Sequence, residues 1–168
     1  MTNRKALLVA VVVITACTAP SATDDNGPVV TPEIQAELTV EAITLACRDL
    51  CREQPLYVRD QLLDTDTLTV EEDPMPETIR QAIAGAFPGV TWVDEPAVEG
   101  ILDDIDAGRA VLVSVSSLRD LAPDVRGIEV GIGQQAFHGQ IVQFRWDGSM
   151  WSQVDSEDTG VTVTSVVS

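Results

Sequence analysis

The sequence predicts an α+β fold, with helices packed on one face of a mainly antiparallel sheet and a strand meander in the C-terminal half. Three observations lead there. Between Ile34 and Ile105 most apolar residues recur at helical spacing. After Gly108 the spacing changes from about 3.6 residues to 2. Asp147-Gly148 then separates two β-rich segments, a strong hairpin signal. Helices first and strands afterwards is the order of an α+β domain.

The elements follow in turn. Thr31-Pro32-Glu33 has the chemistry of a helix start: an N-cap hydroxyl, a proline at N1 and an acid in the first turn. Ile34, Leu38, Ala42, Leu45 and Ala46 then share one helical face, and Pro55 stops the element. Leu56 to Arg59 is a short strand. The stretch from Asp60 to Pro76 is polar and acidic, with Glu71-Glu72-Asp73-Pro74 expected as a surface turn. Pro76-Glu77 opens a second helix carrying Ile79, Ile83 and Phe87, and Val90 to Val93 is a strand. Val98, Ile101, Leu102 and Ile105 make a third amphipathic helix, capped near Gly108. Strands are expected over Ala110–Val115, around Ile128, Val130 and Ile132, over Phe137–Trp146 and Met150–Val154, and over 161–167.

Composition bounds the function. The chain has 168 residues, which is one domain's worth, and 45% are hydrophobic, enough for a packed core. Its formal net charge is −17. A polyanion binder neutralises phosphates with Lys and Arg, so nucleic acid is excluded as a partner. One histidine and three scattered cysteines leave no metal-site motif, and no cofactor motif is legible.

The start of the chain reads as an address. Asn3-Arg4-Lys5 is basic, Ala6 to Ile14 is unbroken apolar sequence, and Thr15-Ala16-Cys17 follows. As a helix, the run from Ala6 to Cys17 spans about 18 Å, short of the roughly 30 Å hydrocarbon core. Ile14-Thr15-Ala16-Cys17 resembles the lipobox of bacterial lipoproteins, with Thr15 where Ala or Ser is commoner. The resemblance implies a signal over 1–16, cleavage before Cys17 and a lipid on its thiol. It places the protein at the extracytoplasmic face of the cell membrane, with the membrane as a partner through that anchor. The alternative is an ordinary secretory signal cut near Ala16 or Ala19. Residues 17–32, rich in proline and small polar residues, form a tether reaching about 50 Å at most. The single domain is expected over 33–168. Without residues 1–16 the chain keeps 27 acids against 8 arginines, net −19, and no lysine. Lysine Schiff-base chemistry is thereby excluded, and anionic lipid headgroups repel such a surface.

Four groups carry candidate chemistry. With Cys17 acylated, Cys47 and Cys51 remain as a pair that an oxidising compartment would join. Cβ atoms four apart on a continuous helix stand about 5–6 Å apart, so a bridge needs the helix to loosen or end between them. The spacing is C-x-x-x-C, not the C-x-x-C of dithiol oxidoreductases, and a structural staple is expected. His138, the only imidazole, would serve a small hydrolase as base, given an orienting acid and a nucleophile. Three acidic clusters, at 71–73, 103–106 and 155–158, fit no EF-hand loop and read as solvated surface. Phe144 and Trp146 share a strand face with Trp151 across the hairpin, as core or sheet cover.

The order of elements over 33–168, with a Trp just after a turn near the C-terminus, resembles NTF2-like and cystatin-like exported modules in layout. That resemblance implies no activity and no site residue. The expected function is a non-catalytic binding or accessory module of the cell envelope, with an apolar ligand or a basic protein as partner. The alternatives are the His138 hydrolase and an acidic sensor or inhibitor that docks a basic protein.

Overall fold

The computed structural model describes residues 28–64, 69–134 and 136–159. The signal and anchor expectations on residues 1–17 and the strand expected at 161–167 lie outside the described residues. The elements are α1 (Pro32–Cys47), α2 (Leu50–Glu53), β1 (Leu56–Arg59), β2 (Gln61–Asp64), β3 (Thr69–Pro74), α3 (Glu77–Ala86), β4 (Thr91–Val93), α4 (Glu95–Val98), α5 (Leu102–Asp106), β5 (Val111–Val115), β6 (Arg119–Ala122), β7 (Val125–Gln134), β8 (Ala136–Trp146), β9 (Trp151–Val154) and α6 (Ser156–Thr159).

The fold is α+β. The main sheet has the order β4-β1-β5-β7-β8-β9, with β6 paired to β7, while β2 and β3 form a separate hairpin. β1 is parallel to both β4 and β5, and the other strand pairings are antiparallel.

The parallel pairings decide where the helices go. From β1 the chain crosses to β4 on one side, then returns past β1 to β5 on the other. Crossovers of one hand that travel in opposite directions lay their helices on opposite faces. Accordingly, Ile79 and Ile83 of α3 pack with α1 against Val58, Val111, Val113, Ile128, Val130 and Phe144. Val98 and Ile105 pack on the other face against Val93, Ala110 and Leu112. The long helices therefore share one face, as expected, and the short α4–α5 segment covers the other face at the parallel end. This explains why Val111-Leu112-Val113-Ser114-Val115 is buried along its whole length, without alternation.

Local chemistry sets the element ends. The Thr31 hydroxyl accepts from Ile34 N at 3.3 Å and caps α1. The face of α1 differs from the expected one at Leu45, which is 40% exposed, while Thr39, Ile43 and Cys47 are buried. α1 is wedged between the sheet and α3, so its buried surface is wider than a single stripe. The buried Thr39 hydroxyl is satisfied by donating to Gln35 O at 2.8 Å. The helix expected over 98–105 is broken into α4, a 3-10 turn at Glu99–Ile101 and α5. Gly100, in that turn, has poor helix propensity. The acidic stretch expected as loop and turn instead contains the β2–β3 hairpin. Leu62 is buried there, and the surrounding acids hide the strand pattern.

Candidate functional site

Cys47 and Cys51 lie at disulfide-bonding distance, with Cα atoms 5.5 Å apart. α1 ends at Cys47, Arg48 takes a positive φ of 50°, and α2 begins at Leu50. The break lets the two side chains converge. Both cysteines are buried, at 1% and 6% exposure. A depression of about 510 Å³ lies beside them, lined by Cys51, Arg52, Gln54 and the Phe87-Pro88-Gly89 turn.

A second depression, about 570 Å³, opens at the C-terminal ends of the parallel strands. Ligands of open α/β sheets commonly bind at such ends. Its lining is Arg59, Glu95, Pro96, Val98, Glu99 and Leu102. Arg59 pairs with Glu95, and burial pulls its pKa below the usual arginine value. Arginine nevertheless stays cationic in proteins. Glu95 already occupies it, and Glu99 adds a second carboxylate, so an incoming anion is disfavoured. One register step beyond Val58↔Val113 places Arg59 beside Ser114, whose buried hydroxyl has no partner among the described residues.

His138 does not join that serine. It stands opposite Ile132 on β7, and Ile132 in turn stands opposite Val113. Ile132 and Val113 belong to the α1 face of the sheet. Ser114, the next residue along β5, points to the other face by alternation. His138 is exposed and lines neither of these two depressions nor the one along β8. The hydrolase reading requires an imidazole, an acid and a nucleophile together, and Ser114 and His138 stand on opposite faces of the sheet.

The third depression, about 450 Å³, lies along the edge of β8. Thr44, Leu45 and Arg48 of α1 form one wall, Gln140 to Gln143 the floor, and Gln153, Val154 and Asp155 one end. β9 pairs with β8 only from Trp146↔Trp151 to Gln143↔Val154. Among the described residues no strand pairs with 136–142 on that side, although the same stretch pairs without interruption with β7 on the other. No residue from 130 to 144 carries a formal charge.

The aromatic residues serve the core and its cover. Phe144 is fully buried, and Trp146 and Trp151 stack tilted with centroids 5.7 Å apart. Arg126 lies over the Trp151 ring, its guanidinium 5.6 Å from the centroid, and pairs with Asp120 at 2.7 Å. Arg80 is 4.9 Å from the Trp92 ring and pairs with Asp60. Of the acidic clusters, Asp103, Asp104 and Asp106 are exposed, and Asp104 is bridged by Arg109 at 2.6 Å. Among the described residues no group of three or more His, Cys, Asp or Glu is arranged to hold a metal ion. None of the described helices is long and apolar enough to cross a membrane.

Arg59, Glu95 and the β8 edge were not foreseen from the sequence. Arg59 could be placed at a strand end, but nothing local marks the parallel neighbours that make that end a site. For β8, the charge-free run was the available signal. No family model, curated protein or solved structure matches the chain.

Proposed function

We propose that this chain is a bacterial lipoprotein whose domain is a non-catalytic binding module for a basic protein partner. Residues 1–16 are the signal, Cys17 carries the lipid, 17–32 are the tether, and 33–168 are held at the extracytoplasmic face of the cell membrane. The basic start, apolar run and Ile14-Thr15-Ala16-Cys17 support the anchor. The observation that carries the binding reading is how the arginines are used. Arg59, Arg80, Arg109, Arg126 and Arg145 are each held by a carboxylate of this same chain. Internal cations are thus largely committed, and the surplus of acids faces solvent. Such a surface attracts basic partners and speeds their association. The space between the long helices and the sheet is filled by Ile43, Ile79, Ile83, Val113 and Phe144, which favours a surface partner over an enclosed apolar ligand.

Cys17→Ala tests the anchor. Detergent-phase partitioning of cells expressing the variant should move the protein out of the detergent phase or leave it as uncut precursor. Cleaved protein with an unchanged detergent fraction would contradict the lipoprotein reading.

A further inference from the structure

We propose that the open edge of β8, residues 136–142, receives an extended basic segment of a partner protein as an added strand. This rests on the binding reading above and names its surface.

The edge is built for backbone pairing. Trp146 N donates to Asp124 O on the β7 side, and Asp147 N donates to Met150 O across the hairpin. Backbone direction alternates along a strand, so Gly139 and Ile141 turn their N–H and C=O groups to the open side. Gln140 and Val142 turn theirs to β7, and stand opposite Val130 and Ile128 there. Proteins usually protect such an edge with lysine, proline, a bulge or a cover. Residues 136–142 contain no lysine and no proline, and their register with β7 runs without a bulge. The short opposite edge, β4, has only three residues. Among the described residues the outer side of the end strand β9 has four residues, and the stretch of β8 that β9 leaves unpaired, 136–142, is the longest edge.

The surroundings select the chemistry of the strand. An added strand enters beneath the end of α1, where exposed Leu45 and partly exposed Ile141 and Val154 offer apolar contact to alternate side chains. Arg48 is the one cation in the lining. Against it stand Asp155 in the lining, exposed Glu157 and Asp158 just beyond, and exposed Glu41 one turn back along α1. An uncharged floor with an anionic rim, in a chain of net charge −17, fits a strand with Lys or Arg on its outer positions. A second copy of this chain brings the same negative charge.

The test uses the exported chain and two synthetic peptides of alternating Val and Thr, one with lysines at its outer positions and one with glutamates there. Amide exchange is followed by NMR. In the free protein, Gly139 and Ile141 amides exchange fast while Gln140 and Val142 are protected. The lysine peptide should slow Gly139 and Ile141 at least about tenfold at low salt and lose most of that effect near 0.5 M NaCl, where screening is nearly complete. The glutamate peptide should not act. Gly139→Pro removes an outward N–H and leaves the β7 ladder its bonds, so it should abolish the effect. A lysine peptide with one inward-facing N-methyl amide does the same without altering the protein. Protection of Gly139 and Ile141 already present in the free protein would overturn the proposal. If it persisted on dilution, residues 160–168 would be the occupant; if it vanished on dilution, a second copy would be. Binding of the lysine peptide without protection at β8 would overturn this surface while leaving the basic-partner reading standing; no binding at any salt would count against both.

Discussion

Where β1 and β5 run parallel, helices cover both faces of the sheet; where β8 runs beside β9, the strand outlasts its partner and keeps an open edge. The first region is a core. Val58, Val111 and Val113 have no exposure beneath α1 and α3, while Ile105 of α5 packs on Leu112 on the other face. The second is a surface. Its buried apolar residues, Val142 and Phe144, sit beneath α1, but its backbone donors and acceptors at 139 and 141 have no strand to meet among the described residues. The same chain thus concentrates stability at one end of its sheet and leaves pairing capacity at the other, the division expected when a rigid frame carries a binding surface.

Paired substitutions separate the two regions most sharply. Ile83→Ala removes a fully buried α3 side chain from the interior of the first region. It should cost about 2–5 kcal/mol in urea unfolding. Gln140→Ala, on the open edge, should change stability by less than about 0.5 kcal/mol. Equal effects would mean that the edge belongs to the core.

A smaller effect is expected at the disulfide. Cys47 and Cys51 close a loop of a few residues, so constraining the unfolded chain contributes at the low end of the disulfide range. Replacing both with serine should cost about 1–3 kcal/mol and leave a single cooperative transition. Thiol titration of the exported, non-reduced protein should find neither cysteine free. Two titratable thiols would remove the staple from the account.

The smallest effect lies at the β8–β9 turn. Asp147 Oδ1 accepts from Ser149 N at 2.8 Å, Ser149 Oγ at 2.8 Å and Met150 N at 2.9 Å. The Met150 and Ser149 amides, with the Ser149 hydroxyl, hold its carboxyl below the usual aspartate value. A carboxyl depressed in the folded state adds stability that is complete above its unfolded pKa and lost as pH falls through the folded one. The hairpin should therefore loosen only in acid, below the ordinary Asp range. Side-chain carboxyl shifts of Asp147 followed by NMR against pH check this, and a midpoint at or above the ordinary aspartate value would contradict it.

Local signals carried much of the fold. Thr31-Pro32 marks the start of α1, Leu56–Arg59 is a strand with the expected bounds, and Asp147-Gly148 turns where a hairpin turn was expected, with Gly148 at φ 102°. Non-local facts were not legible. Nothing within β1 says that both its neighbours will be parallel, because that depends on β4 and β5 arriving from distant segments. The β2–β3 hairpin is hidden by its charge, and Leu45 looks like core until α3 is seen to occupy the other side of α1. The candidate surface was the least legible of all. An open edge is defined by where a neighbour stops, and only the end of β9 at Val154 makes 136–142 an edge.

Amide exchange along β8 in the isolated, exported chain tests the division between core and open edge most directly. Exchange should alternate, fast at Gly139 and Ile141 and slow at Gln140 and Val142, with protection throughout Val111–Val115. Uniform protection from 138 to 142, matching that of β5, would contradict it.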